Sequence, residues 1–167
     1  FAAAAYVERD YALPGHGTFV LHLPMGWDDK IRYHAGDVPP AIVLTGFEGS
    51  PFVILITPQW AGSGADTDFR SAKSIHTLVE KAAHASESES VEGRLSVVTL
   101  GSGNGPGYYF TATDRNPKAG DFKYKTQGAV RVGELVCTFT ILANDAKSTA
   151  RIKALTMLSG AMQKLGK

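Results

Sequence analysis

Cysteine is nearly absent. The single Cys137 excludes an intramolecular disulfide and any cysteine-rich zinc site. Long hydrophobic runs are missing as well, and a helix crossing a bilayer needs about 18 apolar residues or more. Excess charge of one sign is absent: 17 basic side chains face 16 acidic ones, for a net charge of +1. The halves differ slightly, with 6 basic and 9 acidic residues over 1–83 and 11 and 7 over 84–167. That falls short of the clustered basic face that marks nucleic-acid binding, so no nucleic-acid partner is expected. The signatures of common catalysts are lacking too. There is no Gly-x-Ser-x-Gly elbow, no His-Glu-x-x-His run and no glycine loop ending in Gly-Lys-Ser/Thr.

What is present is an ordinary globular composition. Apolar residues make up 44% and charged residues 20% of 167 residues, which argues against disorder, a collagen-like rod or a coiled coil. The length fits one domain over 1–167. Residues 1–10 read as a frayed or processed segment, because Phe1 is followed by four alanines and shows no periodicity. Small residues of this kind mark signal-peptidase sites, which suggests an exported protein, periplasmic or secreted.

Alternation places a strand over Gly17 to Leu23, ended by Pro24-Met25-Gly26. Further strands are expected over Trp27 to Tyr33, Ala41 to Phe47 and Phe52 to Thr57. The last is apolar on both faces, so it is expected inside the sheet with both faces covered. Asp66 or Thr67 would cap a helix running to about His84, with Phe69, Ala72, Ile75, Val79 and Ala82 as its apolar stripe. A fifth strand follows over Leu95 to Leu100, then a flexible glycine turn over Gly101 to Gly107, then a sixth strand over Tyr108 to Thr113. Phe122 to Val132 and Glu134 to Leu142 read as a hairpin around Gly133, with Leu135, Cys137, Phe139 and Ile141 on one face. Asn144 or Asp145 would cap a final helix to about Leu165. Its stripe would be Ile152, Leu155, Leu158, Met162 and Leu165, and Lys164 and Lys167 would sit in its last turn. Clustered strands and two helices imply an α+β domain, a mostly antiparallel sheet of about six to eight strands flanked by the helices.

The element order and the passage Leu21-His22-Leu23-Pro24-Met25-Gly26-Trp27 resemble the PsbP/Mog1-like fold, where a strand runs into Pro-x-Gly-Trp. The resemblance covers most of the chain as topology and seven residues as motif. It implies an α/β/α sandwich and a functionally mixed group: accessory subunits of photosystem II, a Ran-GTPase-binding protein, and bacterial exported proteins of unknown role.

Several residues could carry chemistry. His76, Glu80 and His84 recur at every fourth position of the first helix and are the weak candidates for a metal, although a closed zinc site usually needs four ligands. No cofactor is implied. Cys137, on an apolar strand face, reads as an inert thiol. Tyr108, Tyr109 and Phe110, with Phe122 and Tyr124 near Lys123 and Lys125, read as cross-strand packing. Loops at Gly62 to Asp66 and Gly101 to Gly107 flank Trp60, Tyr108 and Tyr109, which are the expected anchors for a protein partner. The expected function is a non-enzymatic accessory or protein-interaction domain. The alternative is a small-ligand-binding protein or hydrolase with a pocket at the sheet end, built from His16, His22, His34, Asp28, Asp29, Trp27 and Trp60.

Overall fold

The computed structural model describes residues 5–62 and 67–166. Phe1 to Ala4, the loop residues Ser63 to Asp66 with the expected cap Asp66, and Lys167 lie outside the described residues. The strands are β1 (Tyr6–Ala12), β2 (Thr18–Pro24), β3 (Asp28–Arg32), β4 (Ala41–Phe47), β5 (Pro51–Gln59), β6 (Val98–Thr99), β7 (Gly107–Thr113), β8 (Tyr124–Val132), β9 (Leu135–Ala143) and β10 (Met162–Lys164). The helices are α1 (Ala72–Ser86) and α2 (Thr149–Ser159). The architecture is α+β with antiparallel pairing throughout, as expected from the clustering of strands.

The strands divide into two sheets. A seven-stranded sheet has the order β3-β4-β5-β9-β8-β7-β6, and a three-stranded sheet has the order β1-β2-β10. Hairpins build most of the large sheet, and the β8–β9 hairpin turns at Gly133 with φ of 61°. One face of the large sheet carries Ile42, Leu44, Phe52, Ile54, Ile56, Cys137, Phe139 and Ile141, all buried. Phe19, Leu21 and Leu23 of β2 and Ala150, Ala154, Met157 and Leu158 of α2 join them in one cluster. The three-stranded sheet and α2 therefore share the covering of that face. The helix α1 lies on the opposite face, where Ile75, Val79 and Ala83 pack with Phe110, Ala112, Ala129 and Val136.

Several expectations are corrected. Residues 6–10, expected to belong to a frayed or processed segment over 1–10, lie in strand β1, which pairs residue for residue with β2 from Tyr6↔Pro24 to Ala12↔Thr18. The pairing holds a segment that its own charge pattern, Glu8-Arg9-Asp10, leaves undistinguished. The first helix is capped by Ser71, whose hydroxyl accepts from the Ser74 N–H at 3.1 Å, and Thr67–Arg70 is a separate 3-10 turn. Ala72 is exposed, and the stripe continues through Ala83. Of Leu95 to Leu100, only Val98–Thr99 pairs as a strand. The Gly101 to Gly107 turn is tied down: Ser102 Oγ donates to the Ser159 carbonyl at 3.3 Å, and Asn104 Nδ2 donates to the Ala161 carbonyl.

The final helix stops at Ser159, and the chain then re-enters a sheet as β10 beside β2. Ile152 and Leu165 are exposed, and Lys164 sits on a strand, 3.5 Å from Glu8. Helical periodicity cannot see this change, because Met162 and Leu165 also suit a helical stripe. The expected cap Asp145 acts from further back: its carboxylate accepts from the Thr149 N–H at 2.8 Å, while Ser148 at φ of 60° opens the helix. The Thr149 N–H bond first and the Lys147 N–H bond second hold the Asp145 carboxyl below its ordinary pKa, against a smaller opposing effect of desolvation.

Candidate functional site

Register places the outward face of the large sheet in rows. One row runs Lys30, Val43, Leu55, Thr140, Gln127, Phe110, from β3 to β7. A neighbouring row runs Asp28, Thr45, Val53, Leu142, Lys125, Ala112. The third runs Arg32, Ala41, Thr57, Thr138, Ala129, Tyr108. α1 covers the β7 and β8 end of these rows, where Phe110, Ala112 and Ala129 are buried. A sheet of seven strands is roughly 30 Å across at ~4.8 Å per step, and a helix with its side chains spans only about 10 Å. Among the described residues, no second α-helix lies on this face, since α2 packs in the main core, and the 3-10 turn Thr67–Arg70 adds only Phe69 against the α1 cluster.

The consequence is an open half-face over β3, β4, β5 and β9. β5 is indeed an inner strand, but only one of its faces is covered. Ile54 is 0% exposed, whereas its neighbour Leu55 is 43% exposed. The expectation that both faces of Phe52 to Thr57 are covered is corrected here. On the same open side stand Val43, Val53, Thr57, Thr138 and Thr140, partly buried, and Phe47 of β4, 69% exposed. The flank of α1 that faces it presents Leu78, 46% exposed, and Ala82. Between that flank and the sheet lies a groove of about 320 Å³, lined by Leu55, Thr57, Leu78, Gln127, Thr138 and Thr140 among others. It is apolar and hydroxyl-bearing, and suits shape-complementary contact better than proton transfer. Exposed aliphatic side chains on a continuous face of this kind mark interaction surfaces.

The residues singled out from sequence distribute as follows. Trp60 extends β5 on the side of the main core and packs partly against it, and the His16 ring stacks on its indole with centroids 4.0 Å apart. Tyr108 and Tyr109, being adjacent on β7, turn to opposite faces. Tyr108 meets His76 of α1 edge-on at 4.8 Å, and Tyr109 packs towards the main core. Two strands, β9 and β8, separate the Trp60 strand from the tyrosines. These three aromatics therefore do not share one patch.

His76 Nδ1 lies 3.2 Å from Glu80, but His84 turns away and lies 2.8 Å from Glu87. Glu87 also accepts from the Leu95 N–H, and that bond first and the His84 bond second hold its carboxyl below the ordinary value. No group of three or more His, Cys, Asp or Glu side chains suited to a metal occurs among the described residues. Of the expected sheet-end set, His16 and Trp60 come together, and Asp37 joins them at 3.2 Å from His16 Nε2. His16 and Trp60 border a cleft of about 280 Å³ with Arg70, Glu134 and Gln163. The others are spread elsewhere. Asp29 accepts from the Tyr11 hydroxyl at 2.9 Å, and burial, with that bond second, pushes the Tyr11 phenol up. His22 sits 3.5 Å from Glu8, and His34 is exposed between β3 and β4. Trp27 is buried against Phe52 and donates to Glu48 at 3.1 Å. Cys137 is fully buried, and desolvation pushes its thiol up, away from the reactive thiolate.

The open half-face was missed in the sequence although its signal was there. A strand apolar on both sides, in a chain with two helices for a broad sheet, must leave apolar surface over. Leu78, which falls outside the Ile75–Val79 stripe, was the second sign. Compared with known proteins, the chain matches no protein-family model, and no curated protein matches it.

Proposed function

We propose that this protein works by binding a protein partner through the open half of its seven-stranded sheet, rather than by turning over a substrate. The observation that carries the reading is the contrast across β5: Ile54 is sealed, while Leu55 is exposed on the other side of the sheet, where it lines one groove with the exposed Leu78 of α1. Burying such side chains releases about 1.5–3 kcal/mol each, and interfaces draw on that term. The single cysteine adds nothing against this reading, since Cys137 is buried in the core. Export and kinship with the PsbP/Mog1-like group belong to the same proposal, on the sequence features described above. Fractionation of the source cells tests the location.

A photo-crosslinking residue at position 55, with a matched one at exposed Ile152 of α2, tests the docking surface in source cells. A discrete product from position 55 and none from position 152 is expected. The same pattern from both positions, or none from position 55, sinks the reading.

A second reading has its own observation, the cleft where His16, Trp60, Arg70, Glu134 and Gln163 converge. The Arg70 guanidinium lines the cleft beside Trp60, whose indole is stacked on His16, and would attract a small anion there. Trp60 fluorescence quenched on adding benzoate, and unquenched in Arg70→Ala, would favour it.

A further inference from the structure

We infer that the partner element is an amphipathic α-helix with an acidic flank, laid beside α1 across β4, β5 and β9. The inference rests on the open half-face being the docking surface, and it specifies what docks there. The open strands already spend their backbone hydrogen bonds on one another, because β4 lies between β3 and β5, and β5 between β4 and β9. An added strand could pair only at an edge, so what covers this face must bring side chains and its own satisfied backbone. A helix does both.

The dimensions agree. α1 occupies the β7–β8 side, and neighbouring helices on a layer pack about 8–10 Å apart. That is roughly two strand spacings, which sets the next helix axis over β5 and β9. The flank of α1 towards that position carries Leu78 and Ala82, one apolar knob and one small residue against which a second helix can close. Beneath it lie Val43, Val53, Leu55 and Thr140, ready to take an apolar stripe.

Charge selects the partner. On the far rim, Lys30 and Arg32 of β3 point to the same side as Val43 and Ala41, are exposed, and make no ion pair among the described residues. The one carboxylate in their row positions is Asp28. A helix in this position would therefore run its outer flank along two unpaired cations, and Glu or Asp belongs there. A second copy of this chain is a poor source. α2 contains Arg151 and Lys153 and no acid, and the one acid within α1, Glu80, already pairs with His76.

The test uses two synthetic peptides of about 15 residues, roughly the length of α1 at ~1.5 Å per residue. Both carry the same Leu stripe at three-and-four spacing, one with Glu and the other with Lys along a single flank. Amide shifts of the labelled protein are followed on titration. The Glu peptide is expected to shift Val43, Leu55, Leu78 and Thr140 and to bind about tenfold more tightly than the Lys peptide. The double variant Lys30→Glu, Arg32→Glu, on an exposed edge strand, should invert that preference, and Leu55→Asp should weaken both peptides. Equal affinity of the two peptides, an unchanged preference in the double variant, or shifts confined to another surface overturns the acidic helix. Concentration-dependent shifts of the same residues without peptide would overturn it in favour of a second copy. A position-55 crosslink to a partner, together with equal peptide affinities, would leave the docking surface standing and defeat this inference alone.

Discussion

Two neighbouring residues of β5 provide a direct measure of which face of the sheet is covered. Ile54 is 0% exposed and sits in the main core, paired across strands with Leu44 and Ile141. Truncating a buried Ile to Ala costs about 2–5 kcal/mol, from lost transfer energy and the cavity left behind. Ile54→Asp should cost at least as much, since it strands a carboxylate with no partner. Leu55, at 43% exposed, has kept only part of its burial. A fully buried Leu contributes about 1.5–3 kcal/mol, so Leu55→Ala should lose roughly 1 kcal/mol. Leu55→Asp adds a strand-propensity penalty of up to about 1 kcal/mol but no buried charge. Urea unfolding followed by tryptophan fluorescence reads both as midpoint shifts at constant slope. The expected ordering is a large shift for Ile54→Asp and a shift at least twofold smaller for Leu55→Asp. Equal shifts would mean that the Leu55 face is covered after all, and both the docking surface and the helix inference would fall with it.

Other outcomes follow from particular contacts. Glu48 accepts from Trp27 Nε1 and from Lys153 Nζ at 2.8 Å; desolvation raises its carboxyl pKa, but these bonds outweigh it and lower the folded value. Its contribution should be complete above the ordinary carboxyl pKa and lost as pH falls through the lowered folded value, so Glu48→Gln should flatten the acid limb of stability against pH. Cys137 should resist a thiol reagent in the native protein and react only as the chain unfolds; fast native labelling would contradict its burial. Gly17 sits at φ of 78°, and a Cβ there would lie 2.2 Å from the Lys164 carbonyl oxygen. Gly17→Ala should therefore cost about 1–3 kcal/mol and loosen β10, visible as faster amide exchange at Met162–Lys164. Zinc should leave the melting temperature unchanged, because His84 is held by Glu87 away from the His76–Glu80 pair; a large rise abolished by His76→Ala would reverse that assignment.

Local order in this protein is legible in the sequence because it depends on neighbours along the chain. Alternation in Ala41–Phe47 and around Gly133 marks strands and a hairpin, and the three-and-four spacing of Ile75 and Val79 marks a helix and its buried side. Those same patterns require an antiparallel α+β fold. What they leave open is which surface meets which. The charged run Glu8-Arg9-Asp10 becomes a strand only because β2 pairs with it, and Met162–Lys164 leaves its helical pattern because β2 has a second free edge. Adjacent residues on a strand point opposite ways, so Tyr108 and Tyr109 could never form one patch, though only the fold shows which core each one meets. The side-chain pattern of β5 says that both its faces are apolar. Only the count of layers over the assembled sheet decides that one of them is covered and the other is open. Coverage depends on where distant segments come to rest, and periodicity within a segment carries no record of that.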